Sequence, residues 1–189
     1  NDLIWSYVVN NYMLGKDPMP FDLLYWNADS TRMPAGVHSF YLRECYMANK
    51  LSQGKMVLDN VRIDLKKVKI PIYNLAARED HIAPLASVFR LGRYSGGPTK
   101  LVVSGSGHIA GVVNPPDANK YQYWTNDKGA ATVEEWLKGA TEHPGSWWPD
   151  WAGWMSDKSG AKVKAPTPGS GKLKVLGDAP GTYVRARAE

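Results

Sequence analysis

Two short stretches of this 189-residue chain carry residue types suited to acid–base chemistry. The first contains Glu79, Asp80 and His81, and the second is a glycine-rich run over residues 105–111 around His108. A carboxylate within hydrogen-bonding reach of an imidazole orients the ring and stabilises its protonated form, which supports its action as a general base. The sequence therefore predicts a proton-transfer site.

The residues around these stretches predict a strand–helix–strand unit. Residues 68–76 and 100–104 are mostly apolar runs typical of buried strands, and residues 84–94 between them predict a helix. Strands joined through a helix run parallel, so both stretches follow the carboxyl end of a strand, where open sheets place functional groups. We therefore expect Asp80 and His108 to meet at one edge of a parallel sheet.

An acid followed by a histidine along the chain is the order of the α/β-hydrolase triad, in which the nucleophile comes first. The 189 residues contain no Gly-x-Ser-x-Gly motif and no cysteine version of it. Cys45 lies in a predicted helix without the strand-to-helix turn of such a nucleophile, which favours a buried structural thiol. We therefore expect the nucleophile to lie upstream of Asn1 and the chain to be a fragment.

The residues on either side of Asp80, Glu79 and His81, also carry groups suited to acid–base chemistry. Glu79 is a rival for the role of the acid, and the family pattern described below favours Asp80 over it. His81 is either an accessory group that supports the acid or an ordinary surface residue, and the sequence leaves both interpretations open.

Helical periodicity and turn residues predict most of the remaining elements. Apolar residues at helical spacing predict a helix over residues 2–14, and Pro34 opens a second helix that ends near Gly54. Residues 56–63 predict a hairpin, and a capping box at residues 132–135 begins another helix.

A tryptophan-rich helix and a basic tail are expected after that. Trp147, Trp151 and Trp154 share one helical face, which favours packing against the core. From Lys158 to Pro180 the chain is rich in glycine, proline, lysine and serine, which is typical of a tail and not of a domain.

The distribution of charge argues against nucleic acid as a partner. The formal net charge is +5, but the stretch from Asp157 onward holds seven basic and three acidic residues. The preceding part is nearly neutral and lacks the basic face with interleaved aromatic residues of a nucleic-acid-binding domain. No apolar run approaches the length of a membrane span, and the single Cys45 fits a reducing compartment, so we expect a cytoplasmic protein.

Seven blocks of the chain resemble the polyhydroxyalkanoate synthases, and most closely those of class I. They are NDLIW at residues 1–5, PFDLLYWN at 20–27, YLR at 41–43, REDHI at 78–82, SGHIAGV at 106–112, NPP at 114–116 and HPGSWWPDW at 143–151. The resemblance implies the C-terminal portion of an α/β-hydrolase fold with a mostly helical cap segment. It also implies an enzyme that polymerises (R)-3-hydroxyacyl-coenzyme A, with a short-chain substrate such as 3-hydroxybutyryl-coenzyme A, into polyester.

The resemblance also implies roles for particular residues. Such an enzyme uses a cysteine nucleophile in Gly-x-Cys-x-Gly together with an acid and a histidine. By position Asp80 matches the acid and His108 the histidine, whereas the cysteine has no counterpart in this chain. This chain alone is therefore expected to be inactive, and we expect it to need no cofactor and no metal.

The resemblance implies three segments and two partners. The segments are a cap subdomain over residues 1–54, the C-terminal part of the hydrolase core over residues 55–157 and a basic, Gly/Pro-rich tail over residues 158–189. The substrate thioester and the growing polyester chain are the implied ligands. A homodimer formed through the cap and a location at the surface of polyester granules in the cytoplasm are also expected.

Two other functions stay open on the sequence. An esterase or dehalogenase of the same fold would use Asp80 and His108 with serine or aspartate in place of the cysteine. A non-catalytic granule-associated or dimerisation module is the third interpretation, and the two intact loops argue against it. The residue at the nucleophile position would separate the first two.

Overall fold

The computed structural model describes residues 2–18, 32–182 and 185. The family block at residues 20–27 and the polar turn that the sequence predicts over residues 27–31 lie outside the described residues. The helices and strands are, in chain order, α1 (Asp2–Tyr7), α2 (Ala35–Phe40), β1 (Val57–Leu58), β2 (Val61–Arg62), β3 (Ile72–Ala77), α3 (Leu85–Phe89), α4 (Leu91–Tyr94), β4 (Thr99–Ser104), β5 (Gln122–Thr125), α5 (Val133–Lys138), β6 (Thr141–Pro144) and α6 (Trp148–Ser156).

The chain forms two compact units. The first comprises residues 1–70 with 94–97, and the second comprises residues 71–93 with 98–189. Helices α1 and α2 and the β1–β2 hairpin belong to the first unit, whereas strands β3 to β6 belong to the second. The sequence-based segments 1–54, 55–157 and 158–189 stay predictions.

The first unit contains the two predicted helices and the predicted hairpin, but the second helix ends at Met47 and not near Gly54. Helix α1 continues as a π-helical turn over Val8–Met13, and α2, which follows Pro34, continues in the same way over Tyr41–Met47. Strands β1 and β2 pair antiparallel. The residues between them, Asp59 and Asn60, both have positive φ angles of 46° and 62°, as a tight two-residue hairpin turn requires.

The second unit is built on a four-stranded sheet in the order β3-β4-β5-β6. Strands β3 and β4 are parallel, with Ile72 opposite Thr99 at one end and Ala77 opposite Ser104 at the other. Helices α3 and α4 lie between them in the chain, so the predicted strand–helix–strand unit is confirmed. Helices and a mixed sheet together give an α/β architecture.

The sequence does not predict β5 and β6, which run antiparallel to their neighbours and make the sheet mixed. Both strands have only four residues, and β6 contains polar residues and Pro144, so neither gives the apolar run by which a buried strand is recognised. Tertiary pairing creates β5, since Trp124 lies opposite Val103 and is 6% exposed there.

The core of the second unit forms where the sheet meets α3 and α5. Its buried members are Ala76, Leu85, Leu101, Val103, Trp124 and Trp136. Helix α5 begins as the capping box predicts, because the Thr132 hydroxyl accepts a hydrogen bond from the Glu135 N–H at 3.2 Å. This cap starts the helix that inserts Trp136 into the core, where the side chain is 4% exposed.

The last part of the chain adds no packed element. From Asp157 to Thr182 the structure has neither helix nor strand, and every residue is exposed. Within the described ranges, no helix is long and apolar enough to cross a membrane.

Candidate active site

The two parallel strands β3 and β4 deliver the predicted loops to the same edge of the sheet. Beyond the last register pair, the Arg78 N–H donates to the Ser104 carbonyl at 2.8 Å, and the Glu79 N–H donates to the Ser106 carbonyl at 3.0 Å. Parallel pairing thus continues for two hydrogen bonds after the strands end. The backbone of the acid loop is tied directly to the backbone that leads to His108.

The carboxylate of Asp80 is held by its own loop. Its Oδ1 accepts hydrogen bonds from the backbone N–H groups of Ile82 at 2.8 Å and Ala83 at 2.9 Å. The side chain is only 7% exposed. The Ala83 N–H is the largest influence and lowers the pKa of Asp80; burial opposes it, while the hydrogen bonds from His108 and Ile82 lower the pKa further. Asp80 is therefore an ionised acceptor at neutral pH.

The loop that carries His108 turns sharply after β4. Its first residue, Gly105, donates its N–H to the Gln122 carbonyl at 2.7 Å, and Ser106 takes a positive φ of 68°. The Gly111 N–H closes the turn on the Gly107 carbonyl at 3.0 Å. A Cβ at Gly111 would overlap the Gly105 carbonyl oxygen, so a side chain at this position is incompatible with the turn.

Asp80 and His108 form a hydrogen-bonded pair, as the sequence predicts. The His108 Nδ1 lies 2.8 Å from the Asp80 Oδ2. Because an ionised carboxylate can only accept, Nδ1 carries the proton and the lone pair of the neutral ring lies on Nε2. Nε2 has no hydrogen-bond partner in the part of the chain that the structure describes, and the ring is 44% exposed. This arrangement presents a general base to an incoming group.

The side chains that flank Asp80 take no part in this hydrogen-bonded pair. Glu79 and His81 are exposed, and no hydrogen bond or ion pair of either side chain is found among the described residues. The accessory role of His81 stays a prediction. Cys45 belongs to the first compact unit, where it is half-buried in the helical turn over Tyr41–Met47, so the expectation of a buried thiol is wrong.

Sequence reasoning missed three residues that contact the loop of His108. Ser146, Trp147 and Trp148 donate hydrogen bonds to backbone carbonyls of the residues that follow His108. The family block at residues 143–151 is the available signal, but helical spacing predicts only that its tryptophans pack against the core. No cluster of three or more His, Cys, Asp or Glu side chains that would hold a metal ion occurs among the described residues.

The whole chain is similar to known poly(3-hydroxyalkanoate) polymerases. It is 59% identical over 189 residues to the polymerase of Methylorubrum extorquens, and the match covers 100% of this chain and 31% of that protein. It is 57% identical over 187 residues to the polymerase subunit PhaC of Rhizobium etli, with 99% of this chain and 29% of that protein covered. The corresponding subunit of Cupriavidus necator is 44% identical over 190 residues, with coverage of 100% and 32%.

These relatives are longer than the chain, which spans about three-tenths of their length. No protein-family model matches the chain. The matched regions extend over essentially the entire sequence, and so they include the segments of both loops of the candidate active site. The chain therefore belongs to the poly(3-hydroxyalkanoate) polymerase family.

Proposed function

We propose that this chain supplies the acid and the histidine of an acyltransferase that polymerises (R)-3-hydroxyacyl-coenzyme A into polyester with release of coenzyme A. The observation that carries the proposal is the 2.8 Å hydrogen bond between Asp80 and the His108 Nδ1, which leaves Nε2 free to accept a proton. The names of the relatives, which are polymerases of poly(3-hydroxyalkanoate), support the choice of reaction.

An α/β-hydrolase fold is part of this proposal. In that fold the acid and the histidine follow separate strands on the same edge of the sheet, in this chain order. Parallel strands β3 and β4, followed by Asp80 and His108 respectively, fit this arrangement. The nucleophile is a cysteine in Gly-x-Cys-x-Gly, a motif that the 189 residues do not contain.

The first chemical step is the formation of an acyl-enzyme. The His108 Nε2 takes the proton of the cysteine thiol, and the thiolate attacks the carbonyl carbon of the substrate thioester. The carbon–sulfur bond to coenzyme A breaks, and the imidazolium returns its proton to the departing sulfur. Asp80 keeps the ring in the required tautomer and stabilises its charged form throughout.

The second step extends the polymer. The 3-hydroxyl of another acyl group attacks the acyl-cysteine, and His108 accepts its proton as the new ester bond forms. The thiolate that leaves takes the proton back from the imidazolium. One base serves both steps, because each transfers a proton between an attacking or leaving group and the same Nε2.

Short-chain substrates, a homodimer and a location at polyester granules in the cytoplasm also belong to the proposal. Large apolar side chains of the first compact unit support an interface there, since Trp5 is 65%, Tyr12 88% and Met47 82% exposed. Light scattering of the intact protein would test the dimer. A monomer at micromolar concentration would contradict it.

The test uses the intact polypeptide that contains this sequence. Coenzyme A release from 3-hydroxybutyryl-coenzyme A is measured with a thiol reagent, and the polyester is quantified after methanolysis. Loss of a general base costs about 10²–10⁴-fold in rate, so we expect His108→Ala to remove nearly all activity and the matched variant His81→Gln to retain a measurable fraction. An inactive His81→Gln with an active His108→Ala would refute the assignment. Free 3-hydroxy acid in place of polymer would indicate a hydrolase.

A further inference from the structure

The turn that carries His108 is anchored differently at its two ends. At its start, the Gly105 N–H donates a hydrogen bond to the Gln122 carbonyl, and the Ser106 carbonyl accepts one from the Glu79 N–H. This end is therefore fixed by the sheet and the acid loop. At its far end, the carbonyls of Val112 and Asn114 accept hydrogen bonds from a different part of the chain.

Three consecutive residues hold the far end, and we name them the 146–148 clamp. The Ser146 hydroxyl donates to the Asn114 carbonyl at 2.6 Å. The indole Nε1–H groups of Trp147 and Trp148 both donate to the Val112 carbonyl, each at 3.1 Å. A carbonyl oxygen has two lone pairs, so both acceptor positions of Val112 are used by the clamp.

The clamp is itself fixed to the far ends of the strands that position the site. Asp150, in the first turn of α6, accepts a hydrogen bond from the Tyr73 hydroxyl at 2.8 Å and pairs with the Lys100 ammonium at 2.7 Å. Tyr73 and Lys100 face each other at the start of β3 and β4. The ring of Trp147 also packs on that of Tyr73, with 6.1 Å between the centroids.

The turn transmits the position of Val112 to His108 because it is one hydrogen-bonded unit. The Val112 and Val113 N–H groups donate to the Ile109 carbonyl at 3.1 and 2.9 Å, directly after His108. A shift of the Val112 carbonyl therefore moves the backbone at the histidine. Catalytic groups need placement to within about 0.5 Å, and a displacement of about 1 Å can cost about 10²-fold in rate.

We propose that Trp147 and Trp148 are positioning residues for His108, which they hold through the shared Val112 carbonyl. This inference rests on the proposed function, because it assigns the indoles a role in placing the Nε2 that accepts the proton. Neither indole touches the imidazole or the reacting atoms. Their effect is on the rate of the chemical steps and not on substrate binding.

The shared acceptor gives this proposal a distinctive pattern of mutant effects. Removing one indole N–H leaves the other on the Val112 carbonyl, so the turn keeps its anchor. Removing both indole N–H groups leaves the Val112 carbonyl without these donors and releases this end of the turn. Each single variant, Trp147→Phe or Trp148→Phe, should lose less than about fivefold in kcat, which corresponds to one ordinary hydrogen bond. The double variant should lose about 10²-fold, more than the product of the two single effects.

Trp151 supplies the matched control. It lies in the same helix, contacts the ring of Trp147 and is 42% exposed, but its indole makes no hydrogen bond to the His108 turn among the described residues. The double variant W147F/W151F therefore changes two tryptophans while it keeps the Trp148 N–H on Val112. Activity, KM and thermal unfolding are compared between W147F/W148F and W147F/W151F in the intact polypeptide.

We expect W147F/W148F to show a kcat lower by about 10²-fold than W147F/W151F at an unchanged KM, with both variants folded at the assay temperature by thermal unfolding. Should W147F/W148F fail to fold, 3-benzothienylalanine at positions 147 and 148 replaces each indole N–H by sulfur at nearly the same ring shape, and it should show the same split between kcat and KM. Equal kcat values for the two double variants, or a raised KM with an unchanged kcat, would overturn the positioning role. An active His108→Ala would overturn the proposed function and this inference together.

Discussion

Replacing Asp80 by asparagine separates the orienting role of this side chain from its charge. In the structure, Oδ1 accepts two backbone N–H groups, from Ile82 and Ala83, whereas Oδ2 faces the His108 Nδ1. An asparagine must keep its single oxygen at the first position to satisfy those two donors. Its NH₂ group then faces His108 and donates to Nδ1, which forces the ring proton onto Nε2.

The size of the effect follows from the same hydrogen bonds. Turning the amide over would restore the tautomer with the proton on Nδ1, but it would break the hydrogen bonds from the Ile82 and Ala83 N–H groups. Each ordinary hydrogen bond changes the ratio of the two amide orientations by a factor of about five. The productive form is therefore about 25-fold less populated. Loss of imidazolium stabilisation adds to this, and a serine protease with the same change loses about 10⁴-fold. We therefore expect the loss in kcat to lie between about 25-fold and about 10⁴-fold.

The assay compares Asp80→Asn with His108→Ala and with the unaltered intact polypeptide. Coenzyme A release is followed at saturating thioester, and circular dichroism confirms that each variant is folded. The neighbouring variant Glu79→Gln is the control, since it makes the same chemical change on an exposed side chain. A loss of less than about tenfold for Asp80→Asn would refute the tautomer argument. An equally large loss of kcat for Glu79→Gln would show that Asp80 is wrongly assigned as the acid.

Three further predictions concern the chain as a whole. The purified 189 residues should release no coenzyme A from 3-hydroxybutyryl-coenzyme A, because they lack the nucleophile motif, and turnover that disappears on alkylation of Cys45 would contradict this. The Ala83 N–H and the His108 contact lower the pKa of Asp80 in the folded chain, so ionised Asp80 stabilises the fold fully above its unfolded pKa and loses this effect as the pH falls through its folded pKa. The free energies of unfolding in urea of the chain and its Asp80→Asn variant should therefore converge in acid. A difference that stays constant with pH would exclude this linkage. Trp136→Ala should lower the free energy of unfolding by about 3–5 kcal/mol in urea, since it empties a buried position, and a loss below about 1 kcal/mol would show that the core repacks.

The placement of the Asp80–His108 pair was predictable because it depends on chain order and strand direction. Two apolar runs separated by a helix define parallel neighbours, and residues just past their ends must meet at one edge. The choice of Asp80 over Glu79 depended on the family pattern. In the structure it follows from the turn in which Ile82 and Ala83 N–H groups bind one oxygen of Asp80.

Strands β5 and β6 were not predictable because their stability comes from partners distant in sequence. Residues 122–125 carry one buried apolar side chain, Trp124, and its indole Nε1–H is satisfied by Glu142 on the next strand at 3.0 Å. The guanidinium of Arg78 lies over the same ring, 4.7 Å from its centroid. Neither contact has a periodic signature in the sequence, so local propensity gave no indication of the strand.

The tryptophans of residues 147–154 show the same limit at the candidate site. Helical spacing predicts packing for Trp147, Trp151 and Trp154. Trp147 and Trp154 contact the ring of Tyr73, whereas Trp151 is 42% exposed, so the prediction is wrong for Trp151. Periodicity reports which face of a helix is apolar, but it contains no information on the direction of an indole N–H. That direction places two donors on the Val112 carbonyl and so connects the helix to His108. A residue assigned to the core by its spacing can therefore also determine the geometry of a loop whose chemistry it never touches.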